Sequence, residues 1–126
     1  MRTFFIRTIN PIEPAKETDY RIDPAIYADQ MQLKWVFAQI SQAQSEYYVL
    51  HWTLNRENRV GVSGGMNRDQ RTIDFGRNPI EDAVGFFVWH REFVPVTQRL
   101  FLFTHELETM ELKLDTSKEE ILAFLE

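Results

Sequence analysis

Asn78-Pro79-Ile80-Glu81-Asp82-Ala83-Val84-Gly85-Phe86-Phe87-Val88-Trp89-His90-Arg91-Glu92-Phe93-Val94-Pro95 decides how this chain is read, because it is a helix with too much apolar surface for one face. Asn78 is placed to cap it, Pro79 suits the first helical position and Glu81 completes a capping box. Pro95 ends it. Ile80, Ala83, Val84, Phe87 and Val88 form the stripe of a core-facing helix. Phe86, Trp89 and Phe93 form a second, aromatic stripe, so the helix needs two partners. A sheet is one. The other is a second helix of the chain, another copy or a foreign ligand or protein. Gly85 sits on that second face; glycine in a helix costs roughly 1 kcal/mol relative to alanine, so close packing is expected over it.

Outward from this helix, turn signals and alternation divide the chain. Thr3 to Ile9 reads as a strand, and Asn10 to Asp23, with Pro11 and Pro14, as a long connection. Asp23-Pro24 opens a helix expected to run to about Gln44, with Ile26, Leu33, Val36, Phe37 and Ile40 on one face and Tyr27, Met31, Trp35 and Ala38 beside them. Tyr47 to Leu54 alternates, with Tyr48, Leu50, Trp52 and Leu54 in phase. Arg59 to Met66 and Arg71 to Phe75 complete a meander, separated by turns at Asn55–Asn58 and Asn67–Gln70. Gln98 to His105 and Thr109 to Asp115 read as a hairpin, and Ser117-Lys118-Glu119-Glu120 as the capping box of a last helix. The order β-α-β-β-β-α-β-β-α implies a single α+β domain, residues 1–126: a mainly antiparallel sheet of five to six strands with helices on one face. The sheet-facing set is Phe5, Tyr48, Leu50, Trp52, Leu54, Val60, Val62, Ile73, Phe75, Leu100 and Leu102. Asn10–Ala15 faintly echoes Asn78–Ala83, but Pro14 prevents the first copy from continuing as a helix.

The totals narrow the function classes. The 126 residues are enough for a core without staples. The absence of cysteine removes disulfides and thiolate chemistry, and suits a reducing cytoplasm. Met1–Arg7 has only three consecutive apolar residues, so no secretory leader is expected, and no apolar run approaches the length of a membrane span. A net charge of −5 argues against general nucleic-acid binding. Residues 56–77 run against that charge, with five arginines and three acids, net +2, leaving −7 for the rest. Arg68 and Arg71 there form a candidate anion patch.

No constellation demands catalysis. His51, His90 and His105 fall on three elements without ligand spacing, so no metal is expected. Gly61-Val62-Ser63-Gly64-Gly65 lacks the lysine and following helix of a phosphate loop, and a bulge or sharp bend accounts better for its glycines. Ser63 lacks a nucleophile-elbow context. The reading is a cytoplasmic, non-enzymatic protein without a cofactor. It acts on a protein partner, in the manner of an inhibitor or immunity protein, or on a second copy of itself. Phe86, Trp89 and Phe93 are the expected interface. The alternative is a small-molecule or anion-binding domain, even an enzyme, with a pocket between sheet and helices near His51 and the Arg68–Arg71 turn.

Overall fold

A computed structural model describes residues 4–8, 20–43, 45–76, 78–106 and 108–126. Among these the elements run β1 (Phe4–Arg7), α1 (Pro24–Lys34), β2 (Gln39–Gln42), β3 (Tyr48–Thr53), β4 (Ser63–Asn67), β5 (Thr72–Phe75), α2 (Ile80–Phe93), β6 (Leu100–Thr104), β7 (Thr109–Leu112) and α3 (Lys118–Leu125). The ends of the first strand at Thr3 and Ile9, the Asn10 connection up to residue 19 and Arg77 lie outside the described residues. The strands form one antiparallel sheet in the order β2-β3-β4-β5-β1-β6-β7. The α+β class holds, with seven strands among the described residues where five to six were expected. The additional strand is β2.

β1 takes the interior place its composition suits, paired on both sides with Phe4-Phe5-Ile6 apolar toward both faces. Its parity is the reverse of expectation. Phe4 and Ile6 are fully buried, whereas Phe5 lies in register with Asp74 and Phe103 on the opposite face. The row Phe4–Phe75–Gly64–Trp52 marks the helix-covered face. Trp52 is core, as its alternation implies. Val60, expected inward, is 72% exposed, because the return strand begins only at Ser63.

Three contacts put the helices on that one face. Tyr27 of α1 meets Trp52, Phe86 of α2 stacks on Phe75, and Phe124 of α3 lies edge-on to Phe4. α1 starts as its sequence implies: the Asp23 carboxylate accepts from the N–H groups of Ala25 and Ile26, with Pro24 in the first turn. It ends ten residues before the expected Gln44, at Lys34. The following Trp35-Val36-Phe37 is a run of weak helix formers. The Gln32 side-chain amide donates to the carbonyls of Trp35, Val36 and Ala38, which holds the turn into β2. The buried face of α1 is therefore Tyr27 and Met31, and Ile26 and Leu33 point to solvent.

α2 starts one residue later than expected. Pro79 has extended backbone and is the cap position, so Asn78 lies outside the helix and makes no capping box. α3 does carry its capping box: the Ser117 hydroxyl accepts from the Glu120 N–H, and the Glu120 carboxylate accepts from the Ser117 N–H. Among the described residues no helix is long and apolar enough to cross a membrane.

Candidate functional site

The aromatic stripe of α2 finds its second partner inside the chain. Phe86 is 0% exposed, its ring centroid 4.3 Å from Phe75 and 5.9 Å from Trp52. Trp89 packs on Tyr27 and Trp35, and Phe93 meets the Tyr27 ring edge-on at 5.0 Å. α1 thus lies along the face expected to bind a partner. Phe86 is a core residue, and Trp89 and Phe93 keep only partial exposure. Close packing over Gly85 is not found. Gly85 is exposed, and a Cβ added there would meet nothing within 4 Å.

Among the described residues of the basic stretch, Arg56, Arg59 and Arg68 are engaged within the chain. Arg56 and Arg59 converge on one Asp82 carboxylate oxygen, at 2.7 and 3.5 Å. Arg68 donates to the Ser45 carbonyl at 2.6 Å, which pins the β2–β3 connection. Asp69 accepts from the backbone N–H of Arg71 and faces the Arg7 guanidinium. Burial alone would raise the Asp69 pKa, but the Thr72 hydroxyl, the N–H groups of Arg71 and Thr72, and the Arg7 guanidinium hold it below its ordinary value. Of the expected anion patch, Arg68 thus has its Nε committed to the chain's own backbone, and Arg71 joins the Asp69 cluster through its backbone N–H.

The histidines do separate work. His90 is wholly buried on α2, with Nδ1 2.9 Å from the Tyr27 hydroxyl and Nε2 without a partner. Burial, helped by neighbouring Arg91, pushes its pKa down to about 3, so it is neutral. His51 and His105 stand on the sheet face away from the helices. That face carries one continuous cross-strand row: Thr109, Phe103, Phe5, Asp74, Gly65, His51 and Ser41. A Cβ at Gly65 would meet the Tyr48 ring at 3.0 Å and the Leu50 carbonyl at 3.1 Å, so the missing side chain gives Tyr48 room to lie over it.

Tyr48 reaches this row through an irregularity in the register between Tyr48 and Leu50. The irregularity moves it off the Leu50–Trp52 face to which simple alternation assigns it. Its hydroxyl donates to Asp74, and this bond, followed by burial, pushes the Tyr48 pKa up to about 12. Burial raises Asp74, against the lowering effects of Tyr48 and His105. The other Asp74 oxygen is enclosed and has no partner. The Tyr48–Asp74 bond holds the Tyr48 ring over Gly65. Among the described residues no group of three or more His, Cys, Asp or Glu side chains is arranged to hold a metal ion.

Among the described residues, exposed apolar side chains gather at the β2 end of the sheet, with Tyr47, Val96 and Leu114 exposed elsewhere. Leu33 is 75% exposed, Val36 70% and Phe37 50%. Phe37 and Val60 line one shallow hollow beside Thr53. β2 itself is an edge strand, mostly exposed. A second hollow of about 730 Å³ is lined from the open sheet face by Ser41 and His51 and from the helix face by Ile40 and Trp52, so among the described residues no element covers the edge on either face. Sequence reasoning missed this site because it placed Leu33, Val36 and Phe37 on the buried face of a longer helix. One signal was available: residues 35–45 carry no charge in a chain that is 26% charged.

In comparisons with known proteins, the chain matches no family model, no curated protein and no solved structure.

Proposed function

We propose that this chain is a non-enzymatic binding protein that acts through protein–protein contacts, and that its contact surface is the β2 edge with Leu33, Val36, Phe37 and Val60. One observation carries this reading: large apolar side chains stand bare beside a strand that has a neighbour on only one side. Sheet edges are ordinarily blunted by lysine, proline, a bulge or a covering element. Gln39-Ile40-Ser41-Gln42 has no lysine or proline, and among the described residues no element covers it. Apolar surface left on a folded domain marks interaction sites. The absence of cysteine supports a reducing compartment such as the cytoplasm.

The test replaces Phe37 with a photoreactive phenylalanine in the full chain and irradiates producing cells. A protein adduct is expected from position 37, with none from the same probe at Glu119 on α3. Equal, background labelling at both positions would sink the proposal.

A further inference from the structure

The contact surface proposed above rests on an edge whose hydrogen-bonding pattern can be worked out residue by residue. The Ala43 N–H donates to the Val49 carbonyl. In an antiparallel ladder the pairs that exchange hydrogen bonds alternate with pairs that do not. Gln39 and Ser41, two and four residues back from Ala43 and opposite Thr53 and His51, therefore turn their backbone groups toward β3. Ile40 and Gln42 turn theirs toward the empty side. Ala38 offers nothing further, since its N–H donates to Trp35 and its carbonyl accepts from Gln32.

Within Gln39–Gln42 these facts select one self-pairing. From this four-residue strand we infer that a second copy of the chain docks antiparallel on β2 about a twofold axis through Ser41. Ile40 then faces Gln42 of the partner subunit, Gln42 faces the partner's Ile40, and Ser41 faces the partner's Ser41. Each outward N–H and C=O of the strand is satisfied, by four hydrogen bonds in all. A register centred on Ile40 would need Ala38, whose groups are taken.

The charge pattern favours a copy as the occupant. Two chains of net charge −5 repel over most of their surfaces, but the uncharged run 35–45 lets this edge approach its own image. The exposed Leu33, Val36 and Phe37, which lead into the strand, supply the apolar area that so short a ladder lacks. The arrangement closes on itself, since the twofold consumes the β2 edge of both copies; the opposite edge, β7, carries Glu111 and is followed by Lys113, charges that disfavour the same pairing there.

The chain has no cysteine, so one introduced thiol reports on one place. Opposed residues in a non-hydrogen-bonded antiparallel pair have Cα atoms about 4.5 Å apart, within disulfide reach. Ser41→Cys should therefore oxidise to a crosslinked dimer at least about tenfold faster than Glu119→Cys at equal concentration, because paired thiols see a millimolar effective concentration. Ser41→Asp places like charges face to face at the axis. It should give a monomer by sedimentation with an unchanged circular dichroism spectrum, while the parent sediments as a dimer. A monomeric parent, or Ser41→Cys crosslinking no faster than Glu119→Cys, overturns the second copy as occupant. If the Phe37 probe still gives an adduct with a different protein, only the occupant was misassigned. If that adduct is missing too, the binding reading fails with it.

Discussion

Two parts of this chain carry the same surplus of apolar side chains and meet opposite fates. On α2, Phe86, Trp89 and Phe93 look like a bare stripe in sequence and are covered by Tyr27 and Trp35. Between Leu33 and Ile40, side chains that look like the inward face of a helix stand largely in solvent. The two are linked. α1 can lay Tyr27 and Met31 across α2 only by turning Ile26 and Leu33 away from it, because these positions lie on different sides of a 3.6-residue helix. Covering one apolar surface exposes the other. A count of apolar positions therefore locates neither the core nor the interface until the end of the helix is known.

The sharpest break between the two regions is one substitution made in each. Phe86→Ala removes a ring stacked in the core and should cost about 3–5 kcal/mol in urea unfolding. Phe37→Ala removes a half-exposed ring and should stay within about 1 kcal/mol of the parent when measured on the monomeric Ser41→Asp background. Equal losses at both positions would mean that the 33–40 segment is core after all.

What was legible in the sequence was local. Asp23-Pro24 and Ser117–Glu120 announce their helices because a cap and its first turn are settled within four residues. Leu50 and Trp52 announce β3 by alternation. Residues that depend on a distant partner were not legible. β1 is apolar on both sides, so only pairing with β5 and β6 decides that Phe4 and Ile6 face the helices and Phe5 does not. Tyr48 changes face through one irregular register step, which no periodicity shows. β2 has one apolar residue in four, too few to display any period, and lies in the wake of a helical pattern. The edge site was lost with it.

The ends of the two helices differ in the same way as their faces. Arg91 is buried, and its guanidinium donates to the carbonyls of Val94, Pro95, Gln98 and Leu112, tying the end of α2 to β7 and to the turn before β6. Gln32 does the corresponding work after α1 with one exposed amide. A lysine cannot reproduce the planar fork. Arg91→Lys should cost about 3 kcal/mol and Gln32→Ala about 0.5–1 kcal/mol, read from denaturation midpoints. A larger loss at Gln32 would show that the turn into β2 is held as firmly as the core.

The covered region also imposes a pH dependence. Folded His90 has a pKa of about 3, below its ordinary 6.5. Below pH 6.5 the unfolded chain takes up a proton that the folded chain refuses. Stability is thus complete above 6.5 and falls as pH drops toward 3, by about 1.4 kcal/mol per unit. Asp69 and Glu111, both held low, lose their contributions only below their ordinary values of 3.8 and 4.5. Asp74, held high, works the other way, since its penalty fades as it protonates. The interval from 6.5 to about 5 should therefore show a loss of about 2 kcal/mol that His90→Phe removes. A parent whose stability is flat over that interval would mean that water reaches the Tyr27–His90 pair.

The smallest effect tests an exposed position of α2. Gly85 faces solvent between Asp82 and Trp89, above a hollow bounded by Lys34 and Lys118. Alanine restricts the unfolded chain more than glycine does and suits a helix interior better. A Cβ at 85 has open space around it. Gly85→Ala should therefore stabilise the protein by about 0.5–1 kcal/mol, with the Ser41→Cys crosslinking rate unchanged. A loss of stability in the isolated chain would mean that another element closes over Gly85. Stabilisation of the fold together with slower crosslinking would mean that the second copy reaches around the sheet to α2. Either result would erase the contrast between a covered helix and a bare edge.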